Sequence, residues 1–145
     1  MRAKDVDQIY RAEAGKPLPL PIYLANVQAG FPSPAEDYLD KTLDLNELLI
    51  AHPAATFFVR VSGDSMRGAG IFSGDVLVVD RSLEATDNKI VVALVNGEFT
   101  VKRLKVRDGR IRLVPENPAY PILELKEESD FQVWGVVTYV IHKAV

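Results

Sequence analysis

The chain has no cysteine among its 145 residues. That absence excludes disulfides, thiolate metal sites and a cysteine nucleophile together, and it fits a reducing compartment, the cytoplasm being the default. Histidine is scarce as well, with only His52 and His142 present. Most serine hydrolases and nearly all zinc hydrolases need imidazole in a defined geometry, so an enzyme made from this sequence would take its base from a carboxylate or an amine. No run of about 18 apolar residues occurs, and the opening stretch MRAKDVDQIYRAEAGKPLPL carries charges throughout, so neither membrane spanning nor secretion is expected. Positive charge is not in excess either. With 17 basic against 20 acidic residues the net charge is −3, and no global field would recruit nucleic acid.

What is present is enough for a core. The sequence is 48% hydrophobic and 26% charged, the composition of one globular domain. A domain of this size removes roughly two-thirds of its unfolded surface from water, so it can fold without disulfides or metals. Residues 1–30 lack sustained periodicity, and Pro17, Pro19 and Pro21 alternate through KPLPLPIY. Such a segment favours an extended, mobile arm that cannot join the middle of a sheet. Ile22 to Phe31 is apolar enough to lie extended against its own domain, and Gly30 with Phe31-Pro32 interrupts it. Ser33, Pro34 and Glu36 then form a capping box, and Asp44 with Glu47 marks a second helix start that His52-Pro53 ends.

Beyond Pro53 the sequence turns β-rich. TFFVRV (56–61), DVLVVD (75–80), KIVVALV (89–95), EFTVKRLKV (98–106), RIRLVP (110–115) and FQVWGVVTYVIH (131–142) read as strands. Gly74-Asp75, Asn96-Gly97 and Asp108-Gly109 mark reversals, the last two being strong hairpin signals. We therefore expect a mainly β domain over residues 31–145, with a short helical lead-in and an N-terminal arm over residues 1–30.

The densest turn is Val61-Ser-Gly-Asp-Ser-Met-Arg-Gly-Ala-Gly70, where three glycines surround Ser65. Glycines let a backbone turn sharply and aim N–H groups at a developing oxyanion, as acyl transfer by serine requires; the plainer reading is an ordinary Gly/Ser/Asp loop. Familiar alternatives fail on spacing. GAGIFSG (68–74) misses the dinucleotide fingerprint by one position, and no Walker A run, S-x-x-K pair or G-x-S-x-G elbow occurs. A serine hydroxyl still needs a base, which a lysine can supply once it is neutral, a form that burial favours. Alternation along EFTVKRLKV puts Lys102 on the largely apolar face with Thr100, Leu104 and Val106, whereas Arg103 and Lys105 share the other. Lys102 is therefore the basic residue here to be desolvated, against the alternative of an edge lysine that discourages aggregation. His52 and His142 read as helix-end or solvent-facing residues, Asp64 and Asp75 as turn formers, and Trp134 as core or interface.

At Ser62-Gly-Asp-Ser-Met66 together with Glu98-Phe-Thr-Val-Lys102, the chain resembles the self-cleaving Ser/Lys proteases of the LexA and UmuD family. The resemblance extends over Gln28 to Pro34, Asp44 to Ile50, Gly74 to Asp80 and Phe131 to Val140, nearly everything after the arm. It implies the LexA-like protease fold of curved, twisted β-sheets, with Ser65 as nucleophile, Lys102 as general base and Ala29-Gly30 as the bond cut. No metal or cofactor is implied. The partners implied are a second copy of the chain in a homodimer, a RecA filament on single-stranded DNA that promotes cleavage, and the catalytic subunit of a Y-family translesion polymerase. Alanine before the cut is the LexA-like choice. About 30 residues before the cut are too few for a winged helix-turn-helix domain, so a DNA-reading repressor is not expected. A non-catalytic dimeric module, or a regulatory domain of repressor type, is the alternative.

Overall fold

The computed structural model describes residues 5–12, 19–23, 39–126 and 128–144. The chain divides into two units, Met1–Ala12 with His52–Val145, and Glu13–Ala51. In the smaller unit, β2 (Pro19–Tyr23) pairs antiparallel with β3 (Leu39–Asp44). Each strand of a two-stranded sheet is an edge strand, the kind of strand in which prolines such as Pro19 and Pro21 are tolerated. Helix α1 (Leu45–Leu49) follows directly, and the Asp44 carboxylate caps it by accepting from the Asn46 amide at 3.0 Å. This is the second helix start legible in the sequence. The capping box expected at Ser33 and Glu36 lies outside the described residues.

The larger unit is one antiparallel sheet of eight strands. In chain order these are β1 (Val6–Arg11), β4 (Thr56–Val61), β5 (Val76–Asp80), β6 (Ile90–Val95), β7 (Glu98–Arg107), β8 (Arg110–Val114), β9 (Leu123–Leu125) and β10 (Phe131–Ile141). In space the order is β1-β4-β5-β10-β6-β7-β8-β9. The two hairpins follow from their turns: Asn96 and Gly97, then Asp108 and Gly109, all have positive φ, the paired left-handed geometry of a two-residue hairpin. The last strand leaves this local order and inserts between β5 and β6.

Side chains alternate between the faces, and each face carries a cluster. Val59, Val61, Leu77, Val79, Val92 and Val101 pack with Met66 and Ile71 on one side. Val91, Ala93, Leu104, Leu113 and Val136 form the other. Many of these side chains are wholly inaccessible, Leu77 and Leu113 among them, and burying each contributes about 1.5–3 kcal/mol. Trp134 packs against the first cluster and meets Phe57 and Phe99 edge-on, with ring centroids 5.0 and 5.7 Å away. The sheet curls enough for β1, at one edge, to reach β7. That closure brings together residues remote in sequence.

Candidate active site

The turn after β4 is built to hold Ser65 still. Its base closes through Val61 N–H to the Asp75 carbonyl at 3.0 Å and Gly74 N–H to the Val61 carbonyl at 2.9 Å. The Asp75 carboxylate accepts from the Phe72 amide at 2.8 Å, and Met66 and Ile71 anchor the loop in the first cluster. Gly63 has φ +82°, a region L side chains rarely adopt, and it turns the chain sharply toward Ser65. A second segment clamps the turn from outside. Gly68 N–H donates to the Glu116 carbonyl at 2.7 Å, and Glu116 N–H donates to the Ser65 carbonyl at 2.9 Å. Beside them, Asn117 Nδ2 donates to the Asp64 carbonyl at 2.9 Å, and the Tyr120 hydroxyl donates to the Asp64 carboxylate. The hydrogen bond to Asp64, then partial burial, holds the Tyr120 phenol above the ordinary tyrosine range.

Lys102 comes from the middle of β7. It is 5% exposed and Ser65 is 4% exposed, and Lys102 Nζ lies 3.2 Å from Ser65 Oγ. Alternation sends its basic neighbours elsewhere: Arg103 Nε meets Glu116 Oε1 at 2.5 Å and Lys105 Nζ meets Asn88 Oδ1 at 2.6 Å. Lys102 Nζ also contacts Thr100 Oγ1 at 2.8 Å and the Val101 carbonyl at 3.1 Å.

One participant has no signature in the sequence. Asp5, just before β1, places its carboxylate between the two side chains: Oδ2 lies 2.5 Å from Lys102 Nζ, and Oδ1 accepts from Ser65 Oγ at 3.3 Å. Oδ2 further accepts from the Thr100 hydroxyl and from the Val101 amide, the latter at 3.2 Å. Beside this group opens a cleft of about 180 Å³, lined by Asp5, Phe99, Lys102, Tyr120, Pro121 and Leu123 among others. Its lining mixes the apolar Val95, Phe99, Pro121 and Leu123 with the polar Asp5, Thr100, Lys102 and Tyr120.

The other candidates take structural positions. His52 Nδ1 lies 2.5 Å from Asp80 Oδ2, and His142 Nδ1 lies 2.6 Å from Asp75 Oδ1. Each histidine is held by a buried aspartate while its ring stays about half exposed, and His52 stands at the N-cap of the short helical turn Pro53–Ala55, in keeping with the helix-end and solvent-facing readings of the sequence. Burial, the largest influence on Asp80, raises its pKa, but the Ser82 hydroxyl, His52 and the Ser82 amide together outweigh it, and the carboxyl is held below the usual aspartate value. Asp64 and Asp75, read as turn formers, are also the anchors of the Ser65 loop. Ala29 and Gly30 lie outside the described residues. Among the described residues no helix is long and apolar enough to cross a membrane.

Comparison with known proteins agrees with this architecture. The chain is 52% identical over 123 residues to Protein SamA of Salmonella typhimurium, covering 85% of each chain. It is 46% identical over 135 residues to Protein MucA of Escherichia coli, covering 92% of each. Against the LexA repressor of Xylella fastidiosa it is 40% identical over 133 residues, which is 91% of this chain and 62% of the repressor. The mainly β body is consistent with the LexA-like protease fold. The family description Peptidase S24-like matches residues 21–138, and the chain belongs to that family of self-cleaving serine peptidases.

Proposed function

We propose that the protein is a self-cleaving serine endopeptidase in which Ser65 attacks the Ala29 carbonyl and Lys102 is the general base. The observation that carries this reading is the 3.2 Å approach of a buried amine to a buried hydroxyl, with Lys102 also lining a cleft of about 180 Å³. Ser65 Oγ bonds to the Ala29 carbonyl carbon as its proton passes to neutral Lys102 Nζ. Backbone N–H groups of the glycine-rich turn hold the tetrahedral oxyanion. The C–N bond to Gly30 breaks, and the Gly30 amine leaves with the proton from Lys102. Water, deprotonated by the same amine, then hydrolyses the Ala29 ester and restores Ser65. No metal or cofactor takes part in these steps.

The likeness to SamA and MucA, UmuD-like members of the family, supports a role in SOS mutagenesis. In this reading the protein acts in the cytoplasm as a homodimer. A RecA filament on single-stranded DNA speeds cleavage by favouring the docked arm, and the shortened protein serves the catalytic subunit of a Y-family translesion polymerase. Residues 1–30 are the arm that is cut, and 31–145 the body that cuts. Incubation of the purified protein at alkaline pH tests the reaction. Mass spectrometry should find fragments ending at Ala29 and beginning at Gly30 in the wild type and none in Ser65→Ala. Identical fragmentation of both proteins would refute it and leave a non-catalytic interaction module.

A further inference from the structure

We propose that the donors gathered at Ser65 and Lys102 form a carboxylate-binding site whose occupant is Asp5 of the segment leading into the chain's own first strand, and that this occupancy holds the peptidase at rest. The proposal rests on the reading of Ser65 and Lys102 given above and adds its control. Four donors converge on one side chain: Lys102 Nζ, the Thr100 hydroxyl and the Val101 amide on Oδ2, and the Ser65 hydroxyl on Oδ1. Charge-assisted bonds of this kind are roughly twice as strong as neutral ones. The Asp5 side chain is only 12% exposed and that of Lys102 7%, so bulk water screens the pair little.

The direction of the hydrogen bonds makes this arrangement a resting one. A serine hydroxyl has a single hydrogen, and here Ser65 gives it to Asp5 while accepting from Lys102. General-base catalysis needs the reverse, with Ser65 donating to an amine that has no proton to spare. An amine that donates both to that hydroxyl and to the Asp5 carboxylate is the wrong partner for the transfer. The reactive arrangement therefore requires Asp5 to leave, after which the hydroxyl can turn to the amine.

The strand that carries Asp5 is placed to make such a departure possible. β1 is an edge strand, paired on one side only with β4, so its release breaks no other pairing of the sheet. It is held by its ladder with β4 from Val6 to Arg11, by flanking backbone bonds from Ser62 N–H to the Asp5 carbonyl and from Ala12 N–H to the Thr56 carbonyl, both 3.0 Å, and by Val6 and Ile9 against the first cluster. Ser62 is three residues before Ser65, so the docking of β1 and the position of Asp5 over the hydroxyl are one event. The strand is a removable strap, and its acidic end is the ligand of the site.

Two readouts on the full-length protein test this, one of them independent of cleavage. In a Ser65→Ala background, acetylation of Lys102 Nζ by acetic anhydride, followed by mass spectrometry, reports how freely the amine is presented. With Ser65 intact, unassisted self-cleavage at neutral pH reports catalysis. Asp5→Ala should raise both rates roughly 10- to 100-fold, the factor expected when a dominant blocked state is removed. Asp5→Asn, which keeps the shape and loses the charge, should move both in the same direction and decides the matter if the alanine variant folds poorly. Unchanged acetylation of Lys102 in both variants would overturn the proposal, as would slower cleavage, which would make Asp5 an aid to the reaction. Faster acetylation in a protein that never cleaves, even at alkaline pH, would uphold the carboxylate site and refute the peptidase reading.

Discussion

Gly68 offers a sharp test of how Ser65 is positioned, because its role is steric and can be worked out from distances. A Cβ at this residue would stand 2.6 Å from the Glu116 carbonyl oxygen, whereas real contacts essentially never fall below 3.0 Å. Gly68→Ala must therefore move the 115–121 segment away from the Ser65 turn by at least the difference, 0.4 Å. The obstacle is backbone and not a flexible side-chain end, so the clamp itself has to open. The displacement weakens the bond from Gly68 to Glu116 and strains the return bond from Glu116 to Ser65. A weakened hydrogen bond plus overpacking costs about 1–3 kcal/mol, and each kcal/mol lowers Tm by about 2–4 °C in a domain of this size. A misplacement of about 1 Å near reacting groups can cost 100-fold in rate, so a shift of this size should slow self-cleavage roughly five- to tenfold. Thermal unfolding and the time course of Gly30-starting product, measured on the same preparation, check both numbers. A variant with wild-type melting and wild-type cleavage would show that the 115–121 segment does not position the nucleophile.

Further outcomes follow from the body of the fold. Asp80 is held below the usual aspartate range, so it contributes stability that is fully present above the unfolded value of about 3.9 and is lost as pH falls through the folded value. Asp80→Asn should therefore be destabilised at pH 7, with the gap from wild type closing as pH drops below about 4; a gap constant from pH 3 to 7 in denaturant titrations would contradict this. Leu77→Ala removes a wholly buried side chain from the first cluster and should cost about 2–5 kcal/mol in the same assay, a loss under 1 kcal/mol being inconsistent with the packing described.

Much of the sheet was legible because its signals are local. Six apolar segments between 56 and 142 became β4 to β8 and β10 with no boundary shifted by more than one residue, and Asn96-Gly97 and Asp108-Gly109 adopt the hairpin geometry their composition demands. The burial of Lys102 followed from period-two alternation, which also turned Arg103 and Lys105 away. What escaped was non-local. The insertion of β10 between β5 and β6 leaves no mark in any short window. β1 was obscured by its own irregularity: a register shift between Val6 and Gln8 lets Val6 and Ile9, three apart, pack on the same cluster, so alternation is lost and the segment reads as a charged arm. Asp5 carried no signal, because one acid among many in a charged N-terminal stretch acquires meaning only when the sheet curls and brings it to β7.

The role of Lys102 as base is tested most directly by the rate of unassisted self-cleavage as a function of pH. A lysine amine in water titrates near 10.4, and an amine that must be neutral to act makes the rate climb between about pH 7 and 10. The account predicts that rise in the wild type and its disappearance in Lys102→Ala. A flat profile, or a Lys102→Ala protein that cleaves at the wild-type rate, would contradict it.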